Sequence, residues 1–304
     1  MKVPAFLRLI RWPNLVFIAL TQVLFYYCIY WPLYHLEDIR RLAGLVLASG
    51  CIAAAGYIIN DYFDLNIDQI NKPGKNVFSR SIHRRWAIIW HLTLSFLGVL
   101  ATALAVGLHQ WYLILANAGC VALLWMYSTS FKRELLIGNV AISLLTSWTV
   151  LVIFFACTDP SNAVFSRDPL SLRFFKIAFL YAGFAFISSL IREAVKDMED
   201  LTGDARYGCR TLPIVAGNRA TKIYVTVWTV VLLAALIVLC LYMLQLGWWL
   251  AVLYSVLLIM VPVSIFFIKL FRAQTQGDFA YLSNLAKLIM LTGILSMIFF
   301  RLYF

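Results

Sequence analysis

The sequence predicts an all-α integral membrane protein with nine transmembrane helices. Of its 304 residues, 63% are hydrophobic and only 13% are charged. Soluble domains are about 45–50% apolar and about 25% charged, so this composition excludes an ordinary soluble protein and a disordered chain. The apolar residues form runs of 18 or more, long enough to cross a bilayer. The six cysteines include no CxxC pair, which argues against a zinc site or a disulfide framework.

The spans follow from the nearly charge-free runs in chain order. Single spans are predicted at 13–34, 42–59, 135–158, 174–191 and 279–300. Two runs of 46 residues, 86–131 and 223–268, are too long for one crossing, so each predicts two helices, with breaks near 109–110 and 245–247. Lys176 lies near the end of its span, where the side chain can reach the interface. Lys287 lies within 279–300 and makes it the weakest of the predicted spans, and His91 is expected to hydrogen-bond to a neighbouring helix.

The positive charges indicate the orientation. Nine spans place the two termini on opposite sides of the membrane. Of the 25 Lys and Arg residues, 19 fall on the side of the N-terminus and six on the other side. By the positive-inside rule, the N-terminus is cytoplasmic and the C-terminus external, in the cell (cytoplasmic) membrane. The net charge of +11 is therefore attributed to membrane topology, and no nucleic-acid partner is expected.

The acidic residues are concentrated on the same side. Ten of the fourteen lie there, and eight of those ten fall within 60–73 and 192–204, directly after the second and sixth spans. In the first segment Asp61, Asp64 and Asp68 are spaced i, i+3, i+7, which places them on one face of a helix. In the second, four carboxylates are spaced i, i+4, i+7, i+11, and Glu199 falls off that face; the four are Glu193, Asp197, Asp200 and Asp204.

Each of these sets of carboxylates forms a stripe along one helix face, and two such stripes need a compensating cation. Like charges on one helix face repel, and a carboxylate near the membrane core adds a further cost. Mg²⁺ has oxygen ligands and commonly binds through one or two carboxylates together with substrate phosphates. We therefore expect the two stripes to meet around one cavity. Nearby side chains suit a phosphate ligand: Lys75, Lys132, Arg192 and Lys196 as cationic donors, and Asn60 and Asn71 as bridging amides.

Four short motifs carry a resemblance to a known family. Residues 60–73 fit the pattern NDxxDxxxDxxNxP, and 192–204 form a second Asp-rich motif. Tyr127, Lys132 and Asn139 form a third marker, and Asn14 closes the sequence Arg-Trp-Pro-Asn at 11–14. Together these motifs resemble the UbiA superfamily of intramembrane prenyltransferases. The likeness extends over essentially the whole chain, which is expected to be one domain, 1–304.

The resemblance implies both a fold and a site. The fold is a helical bundle with a central cavity capped on the cytoplasmic side. The site has two Mg²⁺ ions that join the Asp motifs to a prenyl diphosphate. The implied catalytic and metal-binding residues are Asp61, Asp64, Asp68, Asp197, Asp200 and Asp204. The implied substrate-binding residues are Asn14, Asn60, Asn71, Lys75, Tyr127, Lys132, Asn139, Arg192 and Lys196, with Lys75 standing where the family commonly has Arg.

Three functions are weighed on this basis. The second motif is most similar to the branch that moves a geranylgeranyl group onto geranylgeranylglyceryl phosphate in ether-lipid synthesis. An aromatic-acceptor prenyltransferase of quinone-type biosynthesis is the alternative, because such relatives share the first motif. A cation-coupled transporter is the remote alternative; it predicts ionisable residues near mid-membrane, whereas these spans are nearly charge-free. The expected partners are a prenyl diphosphate, a lipidic or aromatic acceptor and membrane lipid, with no obligate protein partner.

Overall fold

The computed structural model describes residues 3–71, 84–158 and 168–303. Within these ranges all regular structure is helical, and nine helices are long and apolar enough to cross a membrane. They are α1 (Trp12–Tyr34), α2 (Ile39–Phe63), α3 (Arg85–Val106), α4 (Leu108–Thr129), α5 (Ile137–Cys157), α6 (Pro169–Glu199), α7 (Gly217–Gln245), α8 (Trp249–Arg272) and α9 (Gln276–Tyr303). The prediction of nine spans is confirmed for the described part of the chain.

Several helices extend beyond the charge-free runs that predict them. The runs 42–59 and 174–191 become α2 and α6, which have 25 and 31 residues. Charged residues are tolerated where a helix leaves the hydrocarbon. Asp38 and Asp168 cap the first turns by accepting hydrogen bonds from the backbone N–H groups of Arg41 (2.9 Å) and Ser171 (3.0 Å).

Glycines separate the helices within the two long apolar runs. Gly107 lies between α3 and α4 with φ 72°, and Gly247 lies between α7 and α8 with φ 76°. A residue with a side chain is strained at such positive φ values, whereas glycine adopts them at little cost. The breaks at these two positions agree with those predicted from the polar residues nearby.

Two helices contain a wide turn just before a proline. A π-helical turn covers Tyr26–Tyr30 in α1, and another covers Ser255–Met260 in α8. Pro32 and Pro262 are the second residues after these turns. Proline lacks an N–H group and clashes with the carbonyl four residues earlier, and a locally widened turn accommodates both effects. Each helix thus continues across the membrane despite its proline.

Packing brings the first and last helices together. α6 packs against α5, α7 and α9, and α1 packs against α2, α5 and α9. At one end of the bundle the rings of Phe25, Phe154 and Phe174 are fully buried against one another, with centroids 5.6 Å and 5.1 Å from Phe174. His91 Nδ1 lies 3.0 Å from the carbonyl oxygen of Ala55 and joins α3 to α2, as the sequence predicts. Successive spans alternate in direction, so α2 and α6 both end at the end opposite the aromatic cluster.

Candidate active site

Asp64 marks a bend after α2. The helix ends at Phe63, Asp64 adopts φ −85° and ψ 0°, and a short helix follows at Leu65–Asn71. A 2.8 Å hydrogen bond from Asp68 N to Asp64 O spans this bend, so the chain bends there but does not reverse its direction. The spacing of these carboxylates predicts one helix that carries them on one face; the structure instead has two helices, with Asp64 between them. Aspartate competes with helical hydrogen bonding and favours helix ends over interiors.

The second Asp-rich segment has the same construction. α6 ends at Glu199, Asp200 adopts φ −92° and ψ 5°, and a short helix follows at Leu201–Arg206. Asp204 N donates to Asp200 O at 3.2 Å. The single helical face predicted for this segment is therefore interrupted as well. Both segments place carboxylates at the C-terminal end of a helix, where the helix dipole disfavours negative charge.

Asn71 and Gly203 join the two segments. The Leu65–Asn71 and Leu201–Arg206 helices pack against each other. Gly203 N donates a buried 2.7 Å hydrogen bond to Asn71 Oδ1 across 132 residues of sequence. A Cβ at position 203 would lie 2.5 Å from that oxygen, so a larger residue there would displace the Asn71 side chain. In the structure the Asn71 side-chain oxygen accepts a hydrogen bond from the second segment, and its predicted role in substrate binding stays a prediction.

Cations pair with the first segment. Arg11 Nη2 donates to Asp61 Oδ1 at 2.6 Å. Lys132 Nζ donates to Asp64 Oδ1, and Asn60 Nδ2 donates to the other Asp64 oxygen at 2.7 Å. Burial lowers the pKa of the Arg11 guanidinium, but Asp61, with smaller contributions from Tyr57 and Asp68, raises it overall above its ordinary value. These contacts partly offset the repulsion between the carboxylates.

A glycine positions Lys132. The lysine lies in the short helical turn Phe131–Arg133, between α4 and α5. A Cβ on Gly138, at the start of α5, would come within 2.9 Å of Lys132 Cα. The close approach of backbone to backbone at this glycine brings the Lys132 ammonium to Asp64. The turn between two spans thus contributes a cation to the Asp-rich end.

The second segment is held in a similar way. Asn139 Nδ2 donates to Asp197 Oδ2 at 2.9 Å. Arg192 Nη1 donates to Glu193 Oε1 at 2.5 Å, and Lys196 Nζ lies 3.8 Å from the other oxygen of Glu193. Glu193 is 7% exposed, so this carboxylate sits between two cations inside the bundle.

The Asp-rich end carries an excess of negative charge. Its seven carboxylates are Asp61, Asp64, Asp68, Glu193, Asp197, Asp200 and Asp204, and the four cations that form ion pairs with them in the described residues are Arg11, Lys132, Arg192 and Lys196. Fully ionised, the group has three more negative than positive charges. Burial, with smaller contributions from Asp200 and Asp64, raises the pKa of Asp204 to about 7. The two segments are therefore close enough to repel each other electrostatically.

A cavity of about 250 Å³ opens beneath this charged end. Its wall includes five of the residues predicted to bind substrate: Asn14, Asn60, Tyr127, Arg192 and Lys196. Deeper in the bundle the wall becomes mostly apolar, with Leu124, Ile142 and Met290, and it also includes Trp148. A cavity with a charged end and a long apolar interior suits a molecule that has an anionic head and a hydrocarbon tail.

The cavity also contains three charged residues absent from the sequence-predicted list of site residues. These are Arg11, Glu193 and Lys287. Lys287 Nζ donates to Asn14 Oδ1 at 2.7 Å, so the predicted Asn14 is held by a cation of α9. Its position within a span was the available signal, because intramembrane charges are costly and commonly functional. Lys75 and the rest of 72–83 lie outside the described residues, so Lys75 and the cytoplasmic cap stay predictions.

The donor set fits a metal that shares its ligands with a substrate. Among the described residues, no three His, Cys, Asp or Glu side chains converge closely enough to hold a metal ion by themselves. Mg²⁺ does not require such a set, since it keeps water and phosphate oxygens as ligands. The buried Oδ1 atom of Asn60 takes no hydrogen bond from the described part of the chain, which leaves an oxygen available at the charged end.

The fold and the site together define an integral membrane protein in which a polar, carboxylate-rich end lies above a mostly apolar cavity. The sequence profile of the UbiA prenyltransferase family matches residues 14–288. The chain belongs to this family and is a prenyltransferase.

Named relatives are found among archaeal lipid enzymes. The chain is 32% identical over 219 residues to digeranylgeranylglyceryl phosphate synthase of Pyrococcus abyssi, covering 72% of this chain and 71% of that protein. It is 34% identical over 184 residues to the protein of the same name from Pyrococcus horikoshii, covering 60% and 59%. The aligned part thus ranges from about three fifths to about seven tenths of these relatives.

Solved structures share the fold. One, from work on digeranylgeranylglyceryl phosphate synthase in membranes, matches with a TM-score of 0.61 at 24% identity, over 98% of this chain and 99% of that one. Another, a UbiA homolog from Archaeoglobus fulgidus bound to GPP and Mg²⁺, matches with a TM-score of 0.62 at 16% identity, over 96% and 99%. These likenesses extend over nearly the whole of the chain.

Proposed function

We propose that this protein transfers a prenyl group from a prenyl diphosphate to a membrane-associated acceptor, with Mg²⁺ as the metal. One observation carries the proposal. Two Asp-rich helix ends are joined by Asn71 and Gly203 above a cavity that has cations at its rim and a mostly apolar interior. Membership of the UbiA prenyltransferase family and the Mg²⁺ bound to the Archaeoglobus fulgidus homolog support it.

The charge balance supports two metal ions. The Asp-rich end has three excess negative charges among the described residues, and a diphosphate adds more. Two Mg²⁺ ions supply four positive charges. The residues that would hold them are the six predicted aspartates: Asp61, Asp64, Asp68, Asp197, Asp200 and Asp204. When bound, the ions supply electrostatic stabilisation of the charge that develops on the leaving diphosphate.

The chain's own cations bind the diphosphate. Lys132, Arg192 and Lys196 are paired with carboxylates in the structure. Asp64, the partner of Lys132, is one of the six aspartates that would hold metal, so metal binding would release the Lys132 ammonium to phosphate oxygens, for which it is a good donor. Arg192 and Lys196 pair with Glu193, which is not among those six, and both line the cavity, where they can contact phosphate oxygens as well.

The reaction breaks the bond between prenyl C1 and the diphosphate oxygen. The electron pair leaves with the diphosphate, and an acceptor oxygen attacks C1 and releases its proton to the departing diphosphate. The apolar cavity excludes water from the allylic cation in the meantime. The rings of Tyr57 and Tyr127 line the cavity and can stabilise positive charge through their faces. Asn14, held by Lys287, helps to shape the rim.

The acceptor we favour is geranylgeranylglyceryl phosphate, with geranylgeranyl diphosphate as the donor. The named relatives from Pyrococcus support this choice. In this reaction the hydroxyl of the glyceryl phosphate is the nucleophile and the product is a lipid with two prenyl chains. The prenyl diphosphate has a water-soluble head group and a hydrocarbon tail, so the head group enters from the aqueous side. We place the Asp-rich end and the N-terminus in the cytoplasm, in line with the 19 to 6 division of Lys and Arg.

A product assay tests the proposal. Purified protein in lipid nanodiscs is incubated with Mg²⁺ and geranylgeranyl diphosphate, with either geranylgeranylglyceryl phosphate or 4-hydroxybenzoate, and the products are identified by mass. We expect the glyceryl phosphate ether alone, and no product after chelation of Mg²⁺. Prenylated 4-hydroxybenzoate would instead identify an aromatic acceptor. Failure to consume the diphosphate with either acceptor would overturn the proposed reaction.

A further inference from the structure

A second, larger cavity lies at the other end of the bundle. It has a volume of about 630 Å³ and is lined by α6, α7, α8 and α9. On α6 its wall extends from Arg173 to Ile187, whereas Asp197 lies further along the same helix. The 21 residues from Lys176 to Asp197 correspond to about 32 Å of helix. The end of the cavity at Lys176 is therefore far from the candidate active site, and the two cavities share no lining residue among those that the structure describes.

The wall of the second cavity is suited to hydrocarbon. Apart from two cations and a few hydroxyl groups, the residues that line it are apolar, including Phe184, Leu236 and Ile259. Two of its apolar residues, Phe179 and Leu246, are 42% and 46% exposed, so the cavity opens on the outer surface of the bundle. In a membrane that surface faces lipid. The volume falls within the range of about 300–1,000 Å³ that is usual for pockets that bind small molecules.

The two cations lie at one end of this cavity. Arg173 and Lys176 are on the face of α6 that lines it, one and two turns from the start of the helix at Pro169. Lys176 is thus about 10 Å along the helix. Trp248, which also lines the cavity, stacks on Tyr303 with ring centroids 4.8 Å apart. Trp and Tyr gather where hydrocarbon meets headgroups, so this end of the cavity lies at the membrane interface.

Lys176 has no carboxylate partner within residues 3–71, 84–158 and 168–303. An ammonium group at the edge of the hydrocarbon is costly without an anion. The 11 residues from Lys176 to Ile187 correspond to about 16 Å, close to half of a hydrocarbon core of about 30 Å. The cavity therefore has a cationic end at the interface and an apolar depth of about one leaflet.

We propose that this cavity binds one anionic glycerophospholipid from the leaflet opposite the Asp-rich end. The phosphate lies at Arg173 and Lys176, and one hydrocarbon chain extends past Gly183 into the cavity. The charge of the mouth selects an anionic headgroup, and the apolar wall provides most of the contact. The site is independent of the proposed reaction, and its ligand is bound and not transformed.

A larger side chain at Gly183 would occupy the space proposed for the hydrocarbon chain of the lipid without disturbing the helix. It lines the cavity, and a Cβ built there meets nothing within 4 Å. Gly119 of α4 is the matched control, because it lies in a helix interior and has the same open surroundings. For the charge, Lys176→Gln removes the cation and Lys176→Arg keeps it. Arg272→Gln is the control at an exposed cation on the other side of the bundle.

Native mass spectrometry of the purified full chain, titrated with phosphatidylglycerol or with phosphatidylcholine of the same acyl chains, tests the proposal. We expect one tightly held phosphatidylglycerol, absent in Gly183→Leu and retained in Gly119→Leu. Lys176→Gln weakens its binding by roughly fivefold, the value for one cation facing an anionic headgroup, while Lys176→Arg and Arg272→Gln do not. Equal binding of the two lipids, or equal losses in Lys176→Gln and Arg272→Gln, would overturn the proposal even if Gly183→Leu failed to fold.

Discussion

Replacing Gly203 by Ala tests whether the contact between the two Asp-rich segments holds the site together. The new Cβ would lie 2.5 Å from Asn71 Oδ1 and 2.6 Å from Asn71 Cγ, so the Asn71 side chain has to move away. Overpacking of this kind costs about 1–3 kcal/mol. The buried N–H group of residue 203 then loses its 2.7 Å hydrogen bond, at a cost of about 1–3 kcal/mol. The expected loss of stability is about 2–6 kcal/mol.

The free energy of unfolding is measured by reversible unfolding in mixed micelles, for Gly203→Ala, Asn71→Ala and the double variant. Asn71→Ala alone is expected to cost about 1–3 kcal/mol, because it removes the acceptor without a clash. In the double variant the smaller side chain at position 71 leaves room for the new methyl group. Its loss should therefore be close to that of Asn71→Ala, which gives a coupling energy equal in size to the loss in Gly203→Ala, about 2–6 kcal/mol.

Gly119→Ala is the control for the substitution itself. That glycine lies in a helix and has open space around it, so alanine should be neutral or should stabilise the protein by up to about 1 kcal/mol. In the activity assay, Gly203→Ala should lower kcat/KM by about 10²-fold, since a displacement of about 1 Å at a reacting centre has that effect. Strict additivity in the double variant, or wild-type stability of Gly203→Ala, would contradict the assigned contact.

Three further outcomes are expected. Asp64→Asn and Asp200→Asn should each reduce turnover by orders of magnitude with normal folded yield, whereas Glu199→Gln should reduce it far less; similar losses in all three would remove the support for the ligand assignment. Burial raises the pKa of Asp204 to about 7, above its value in the unfolded chain. Its contribution to the stability of the metal-free protein is therefore present below about pH 4 and is lost as the pH rises through about 7. Asp204→Asn should remove this pH dependence, so the amount by which its melting temperature exceeds that of the wild type should grow between about pH 4 and about pH 7, and a constant difference at every pH would contradict the reasoning. A reporter fused after residue 304 should be active only on the external side, and a cytoplasmic signal would show that a span had been miscounted.

The number, order and approximate ends of the helices could be predicted from the sequence, because each depends on the length of an apolar run. The meeting of the two acidic segments was predictable for a related reason. Even-numbered spans end on the same side, so residues that follow the second and sixth spans share one surface. The segments that contain Asp61 and Asp197 meet despite the 136 positions between these two residues.

Local geometry at the site could not be predicted in the same way. The bends at Asp64 and Asp200 could not be predicted, because the carboxylates are spaced as on a continuous helix. An i→i−4 hydrogen bond spans each bend. The contact of Asn71 with Gly203 depends on how two short helices pack, and a single sequence contains no information on that pairing. In the sequence, Lys287 only weakened the prediction of the ninth span. In the structure, the free-energy cost of its charge within the membrane is offset by a hydrogen bond to Asn14 on α1.

The bond between Lys287 and Asn14 has a consequence for biogenesis. Membrane proteins are synthesised from the N-terminus, so Asn14 enters the bilayer with the first span and its partner arrives with the ninth. A nascent chain that ends after the eighth span already contains both Asp-rich segments, yet its cavity lacks the wall that α9 provides. The cavity wall is therefore complete only after α9 has docked, and the hydrogen bond from Lys287 to Asn14 ties that last span to the first.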